Sequence, residues 1–488
     1  MNVRRLAMRS IALTCFIFRP RLACLAIVLT LSLGSEVRAD DQESSQGRES
    51  FQVGAAQRDI TPPVGATITH YERISKGVHD PLHARVFYLE DHEGNHVAII
   101  GLDLIGAGFE TCDRLRAELK EKTGVENTLI ACSHNHSSVG LGPRPKEITD
   151  TVSGWNNETH NKIIAMVQEA KEKAEPVRLR MGRAAAQVGF NRRLVNAKTG
   201  HVFMGVNKEG PVVPWVNVLV ADSRETGKPI AVLFQHAAHP VIVPHWSRLT
   251  SADYPGAAAK RIQEKLGEDV VAVFGQGGGG NINGYPLRSS HELADAAGRK
   301  LGDAAVKAVE EADTIEANTL SVKFAQSWLP SNKVPSVEVW EQWVAGAKTR
   351  DGKPDQGKVA HLNKLRELMR AGQDPPPRRF DAYAVMIGRE WCLVTMPHEM
   401  FCQYELWVDK MAPFQRTMTF AYTNGGQGYV AVDEAWKLKE KGGYEAGSLP
   451  NWGGNGSRSE FFGPPAVGSE QIIKDTITSL WPKEESSE

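Results

Sequence analysis

The sequence predicts an α/β fold: a mixed sheet with flanking helices and a helical insertion. Strand-length apolar runs recur along the chain, among them "ARVFYLED", "HVAIIGLDLIG" and "PIAVLFQHAAHPVIV". Segments with helical spacing of their apolar residues lie between them. Strand, strand, helix, strand is the order that builds sheets covered by helices.

Taken in order, the fold begins at "FQVGAAQRDITPPVG", an alternating segment stopped by Thr61-Pro62-Pro63. Proline has no N–H for a ladder and ends the strand. Strands follow at "ARVFYLED" and "HVAIIGLDLIG", then a helix over "ETCDRLRAELKEKTG" and a strand over "NTLIACSHN". The alternation continues with a helix over roughly 158–174, strands near 178–190 and 216–222, and the run "PIAVLFQHAAHPVIV". Helices after "SADYPG" and over roughly 290–311 flank "DVVAVFGQGGGGNING". Residues 331–380 differ in character: "VEVWEQWVAGAK" and "KVAHLNKLRELMRAG" read as two amphipathic helices closed by "QDPPPRR", a helical insertion over the main fold. A last stretch, "AYAVMIGREWCLVTMPHEMF", leads into the glycine-rich region 424–464. One folded unit over 51–482 accommodates all of this, with no internal repeat.

The 488-residue chain opens with Arg4, Arg5, Arg9, Arg19 and Arg21, then "LACLAIVLTLSLG", then Val37 and Ala39 before Asp40. A basic region, an apolar core and a small-residue cleavage motif make 1–39 a signal peptide, and the protein an exported one, secreted or periplasmic. The apolar stretch is shorter than the ~20 residues of a membrane-spanning helix, so no stable span is expected after cleavage. Residues 40–50 and 483–488 read as flexible ends. Residues 1–39 hold six Arg and one Glu, which leaves 51 basic and 57 acidic side chains, a net of −6. That acidic balance argues against a nucleic-acid partner. Outside the leader stand Cys112, Cys132, Cys392 and Cys402. They form no disulfide framework, and a Cys112–Cys132 or Cys392–Cys402 bridge stays open.

Four separated segments place a metal-competent side chain where an apolar run ends: His134 and His136 after "LIAC", His236 and His239 in "AVLFQHAAHP", His398 and Glu399 in "CLVTMPHEMF", and Tyr429 in "AYTNGGQGYV". Ligands of open α/β sheets gather outside the carboxyl ends of strands, so these residues can converge. On a strand, His134 and His136 would face the same way. Two imidazoles and a carboxylate around zinc leave a position for water, and the ion lowers that water's pKa to about 7. Each residue also has a plainer reading: the histidine pair as hydrogen-bonded loop residues, His239 as a turn cap before Pro240, Glu399 as an ion-pair partner, Tyr429 as core or rim. The run "GQGGGGNING" lacks the spacing of a P-loop or dinucleotide turn. It reads instead as a close backbone approach whose amides, with Asn281 and Asn283, could face a developing oxyanion.

In order and spacing these segments resemble the neutral/alkaline non-lysosomal ceramidase family. The resemblance rests on "AAQRDITPPVG", "GVHDPLHARVFYLED", "GLDLIG", "SHNHSS", "GFNRR", "HPVIV", "SADYPG", the loop ending "GNING", "TMPHEMF" and "TNGGQGYV". It implies a zinc site of His134, His239, Glu399 and Tyr429. It also implies that His136 and Arg192 hold the scissile amide or the head group, and that Tyr444 in "GGYEAGS" is a further head-group contact. Two departures stand out. Asn283 occupies the place of the serine that has a catalytic role in the family, and no counterpart of the family's carboxyl-terminal immunoglobulin-like domain follows "WPKEESSE". The function so implied is exported, zinc-dependent cleavage of the N-acyl bond of ceramide or a ceramide-like lipid, with Asn283, His136 and Arg192 at the reacting group. Hydrolysis of another N-acyl or ester substrate and a binding protein that kept the fold are the alternatives, and mixed nitrogen and oxygen ligands also suit other divalent ions.

Overall fold

The computed structural model describes residues 50–68, 73–142, 150–349, 351–447 and 463–483. The expected signal peptide lies outside the described residues, as do most of the two flexible ends.

Strands buried on both faces carry apolar residues at nearly every position, and the chain's longest runs do this. The first half contributes Phe51–Asp59 (β1), His83–Glu90 (β2), His96–Leu102 (β3), helix Phe109–Thr123 (α1), Thr128–Cys132 (β4) and helix Asp150–Glu172 (α2). Glu175–Ala185 (β5), Gly189–Val195 (β6), Val202–Asn207 (β7), Trp215–Ser223 (β8), Pro229–His236 (β9), helix Asp253–Leu266 (α3), Val271–Gln276 (β10), Ile282–Gly284 (β11) and helix His291–Glu310 (α4) follow. Along β2, Ala84, Val86 and Tyr88 pack with α1 and α2, whereas Phe87 and Leu89 face the opposite core.

A large mixed sheet runs in the order β10-β9-β8-β5-β1-β2-β3-β4. Its two outer pairs, β9–β10 and β3–β4, are parallel, and the pairs between them are antiparallel. Helices α1 and α2 cover one half of its outer face, and α3 and α4 cover the other. The single strand expected over 178–190 is two strands. The chain leaves the large sheet after Ala185 and enters a small one, β7-β6-β11, where Gly189 pairs with Gly284. A Cβ on Gly189 would sit 2.1 Å from the Asn283 carbonyl oxygen, so that junction closes only with glycine.

The second half forms a smaller sheet from Leu320–Leu329 (β12), Arg378–Ile387 (β13), Trp391–Thr395 (β14) and Arg416–Phe420 (β16), in the order β12-β13-β14-β16. Between β12 and β13 lie helices Val337–Ala345 (α5) and Gln356–Ala371 (α6), capped by Ser336 and Asp355 and packed on their own small core around Trp340, Leu362 and Leu365. Glu399–Met400 (β15), helix Cys402–Met411 (α7), Tyr429–Val430 (β17) and helix Ser469–Thr478 (α8) complete the region. The two sheets share one core, in which Trp391, Leu393 and Phe420 meet Phe87, Ile99 and Val273. The four cysteines are free and buried; burial pushes the Cys132 and Cys402 thiols up to about 12. Among the described residues no helix is long and apolar enough to cross a membrane.

Candidate metal centre

The residues just after β16 stitch the edges of the large sheet together. The Ala421 amide donates to the Gln276 carbonyl at the end of β10 (2.8 Å), and the Asn424 amide to the Ile130 carbonyl in β4 (2.9 Å). The Asn424 side-chain oxygen accepts from the Ile130 amide at 2.8 Å. Strand ends that lie far apart in the strand order thus open into one hollow.

His134 and His136 enter it by a turn, not by strand alternation. β4 ends at Cys132, and His134 takes a left-handed φ of 63°. Asn135 between them folds the turn: its side-chain oxygen accepts from the Ser137 amide (2.8 Å) and its amide nitrogen donates to the Asp103 carbonyl (2.8 Å). The His136 amide donates to the Pro240 carbonyl at 3.2 Å, tying this turn to the one that carries His239.

The ring nitrogens decide what these histidines can do. His134 Nδ1 donates to the Ile105 carbonyl at 2.7 Å, and His239 Nδ1 to the Gly279 carbonyl at 2.6 Å. Each Nδ1–H bond fixes the tautomer and leaves a lone pair on Nε2. Both Nε2 atoms face Glu399 Oε2, at 3.3 Å from His134 and 3.0 Å from His239. His136 Nε2 lies 3.4 Å from His134 Nε2. One donor atom from each of His134, His136 and His239 falls within 4.8 Å of the others. A tetrahedral ion with bonds of about 2.0–2.1 Å holds its ligand atoms about 3.3–3.4 Å apart, close to the 3.3 and 3.0 Å that separate Glu399 Oε2 from the two Nε2 atoms.

Protonation states suit the same purpose. Burial, with Arg192 nearby, lowers the His239 pKa to about 4 and keeps the imidazole neutral. Burial by itself raises the Glu399 pKa, yet His134 and His239 outweigh it and hold the carboxyl well below its usual range. Glu399 in β15 pairs in parallel register with Tyr429 in β17. The Tyr429 ring is buried 6.2 Å from that of His239, and burial keeps its phenol neutral, against the pull of Arg192.

Arg192, on β6, is wholly built into the wall. It donates to Asn283 Oδ1 (2.9 Å) and to the Gly280 carbonyl (2.7 Å). Its Nε lies 2.7 Å from Glu445 Oε1, off the line of a hydrogen bond, and the guanidinium stands 5.2 Å over the Tyr429 ring. Asn283 is thus a buried acceptor for Arg192. Tyr444 stands at the rim, 42% exposed, with its ring edge-on to Tyr429 at 5.5 Å.

Two sequence expectations are corrected here. The amides of the glycine-rich loop do not face the hollow: Gly277 donates to the His236 carbonyl, Gly278 to Glu405, Gly279 to the Gly277 carbonyl and Gly280 to the Met400 carbonyl. The glycines serve packing, since a Cβ on Gly280 would meet the Glu399 carbonyl at 2.5 Å. His236 and His398, grouped with the metal-competent residues by sequence, are engaged by backbone at both ring nitrogens. His236 contacts the Trp215 carbonyl (2.8 Å) and the Val188 amide (3.3 Å), and His398 the Arg379 carbonyl (2.7 Å) and the Gln427 amide (3.0 Å). Conversely, Tyr422, unremarked in the sequence, lies against His134 with ring centroids 4.5 Å apart.

Residues 51–285 match the family model described as neutral/alkaline non-lysosomal ceramidase, N-terminal. Over these residues, 235 of the chain's 488, the sequence is similar to that ceramidase family. Neutral ceramidases of Drosophila pseudoobscura pseudoobscura and Drosophila melanogaster are each 32% identical to it over 99 residues, 19% of this chain and 14% of theirs. The chain therefore aligns with about a seventh of the length of these curated relatives. The crystal structure of neutral ceramidase from Pseudomonas aeruginosa shares the fold with a TM-score of 0.65 at 17% identity, over 90% of this chain and 76% of that one. A ceramidase complexed with C2 superposes with a TM-score of 0.66 at 17% identity, over 90% and 77%. The ceramidase match includes His134, His136, Arg192, His239 and Asn283; Glu399, Tyr422, Tyr429 and Tyr444 lie beyond it.

Proposed function

We propose that the chain is an exported, metal-dependent amide hydrolase that cleaves the N-acyl bond of ceramide or a ceramide-like lipid, with zinc as its metal. The observation that carries this reading is the convergence of the His134 and His239 Nε2 atoms, both within the residues that match the ceramidase model, on the Glu399 carboxylate. His134, His239 and Glu399 would hold the ion, with Tyr429 beside them. Zinc, when bound, lowers the pKa of water and polarises a carbonyl.

The chain's own residues do the rest. The Nδ1 bonds of His134 and His239 to backbone carbonyls fix the ring orientations before any ligand arrives. Arg192 holds Tyr429 and Asn283 in place from behind. His136, only partly buried, faces the entering substrate, and Tyr444 at the rim meets its head group. In the reaction the oxygen of water bonds to the acyl carbon and the C–N bond breaks. The departing nitrogen takes up a proton, which yields a fatty acid and a free amine. The leader-like residues 1–39 support export.

Asn283, tied to Arg192 where the family resemblance implies serine, favours a second reading: hydrolysis of a different N-acyl or ester substrate on the same metal. Zinc-loaded protein assayed on a panel of N-acyl sphingoid bases, N-acyl amino acids and acyl esters separates the two. Selective release of sphingoid base is expected. Indifference to the sphingoid part would shift the substrate, and no release from any member would refute the hydrolase.

A further inference from the structure

Acyl-transfer sites supply hydrogen-bond donors to the oxygen on which negative charge develops. With the loop glycine amides engaged inside the protein and Arg192 held by Asn283, the Gly280 carbonyl and Glu445, the hydroxyl of Tyr422, whose ring packs on His134, has no acceptor among the described residues. Tyr422 is 7% exposed, and its hydroxyl is buried without a hydrogen-bond partner among the described residues. Other buried tyrosines are satisfied: Tyr254 donates to the Ala238 carbonyl (2.5 Å) and Tyr404 to the Ala431 carbonyl (2.9 Å). A buried polar group left unpaired is costly and calls for a reason.

The backbone holds this residue in an uncommon conformation. Tyr422 has a φ of 54°, its amide donates to the His398 carbonyl (3.0 Å) and its carbonyl accepts from the Cys132 amide (3.2 Å). A bulky residue in the left-handed region persists only where its surroundings fix it, and such strain concentrates at functional sites. The ring lies at 33° to that of His134 and edge-on to that of His239, with centroids 6.1 Å apart. A phenolic O–H is a hydrogen-bond donor.

We propose that Tyr422 is a catalytic residue of this site, donating its phenolic hydrogen to the substrate's acyl oxygen as negative charge builds there. The proton stays on the phenol throughout, and only a hydrogen bond forms. This inference rests on the hydrolase reading.

The test is Tyr422→Phe in the zinc-loaded full chain, which keeps the ring against His134 and removes the hydroxyl. The expected result is a fall in kcat of about 10²–10³-fold, as for loss of one oxyanion donor, with KM little changed and zinc content equal to wild type. The apo protein should melt at a higher temperature, because an unpaired buried hydroxyl has gone. Inorganic phosphate, a tetrahedral oxyanion, should bind the zinc-loaded variant at least tenfold more weakly than wild type. A kcat within threefold of wild type would overturn the proposal, as would zinc loss with a lower melting temperature, which would assign Tyr422 to holding His134. If wild type cleaves no N-acyl lipid, the hydrolase reading fails separately, and equal phosphate affinity of the two proteins would then overturn the donor role.

Discussion

Two sets of histidines are buried near strand ends, and they differ in the fate of one ring nitrogen. His134 and His239 bond one nitrogen to backbone and turn the other toward Glu399. His236 and His398 bond both nitrogens to backbone. Burial does not separate the sets: it lowers the pKa of His236 and of His239 alike to about 4. A buried neutral histidine is therefore not in itself a ligand. What makes a metal centre is a lone pair that the fold leaves unanswered beside a carboxylate.

Substitutions on the two sides of this contrast should give opposite outcomes. Glu399→Ala should have the largest effect: zinc affinity falls by more than the ~100-fold typical of losing an outer-shell partner, and hydrolysis drops to background, read by metal analysis after dialysis and by product release. His236→Ala should keep its zinc yet lose about 2–4 kcal/mol of stability, because the Trp215 carbonyl and the Val188 amide lose their partner. A denaturant titration beside a metal assay checks both halves; zinc loss without destabilisation would dissolve the contrast. Asn283→Ala, which removes an acceptor from a buried cation, should cost about 1.5–3 kcal/mol with zinc content unchanged. The smallest effect belongs to Tyr444→Ala at the rim. Loss of its proposed contact with the substrate head group should raise KM about 2- to 10-fold with kcat preserved, as for removal of uniform binding, measured by steady-state kinetics.

Much of this site could be read from the strand ends. The apolar runs before His134, His239 and Glu399 mark where strands stop, and the tendency of ligands to gather there is enough to group the three residues. Periodicity does not reveal turn geometry. His134 and His136 come together through a left-handed residue and the side-chain bonds of Asn135, which an i, i+2 strand rule reaches only by coincidence. Nor does sequence show where a backbone amide goes. The glycine run looks like an anion cradle, yet its amides bind His236, Glu405, Gly277 and Met400. Tyr422 stands two residues beyond the end of β16, as His134 stands two beyond β4. That shared position was the available signal, masked because an aromatic after an apolar run reads as core. The contrast between His236 and His239, three residues apart, is invisible without the tertiary partners of their rings.

The most direct test is the zinc-edge X-ray absorption spectrum of wild type reconstituted with one equivalent of zinc, set beside that of His239→Ala. One bound zinc with imidazole nitrogens at about 2.0–2.1 Å, losing one nitrogen in the variant, is the expected result. A zinc that fails to bind, or a coordination shell identical in both proteins, would contradict a centre built on His134, His239 and Glu399.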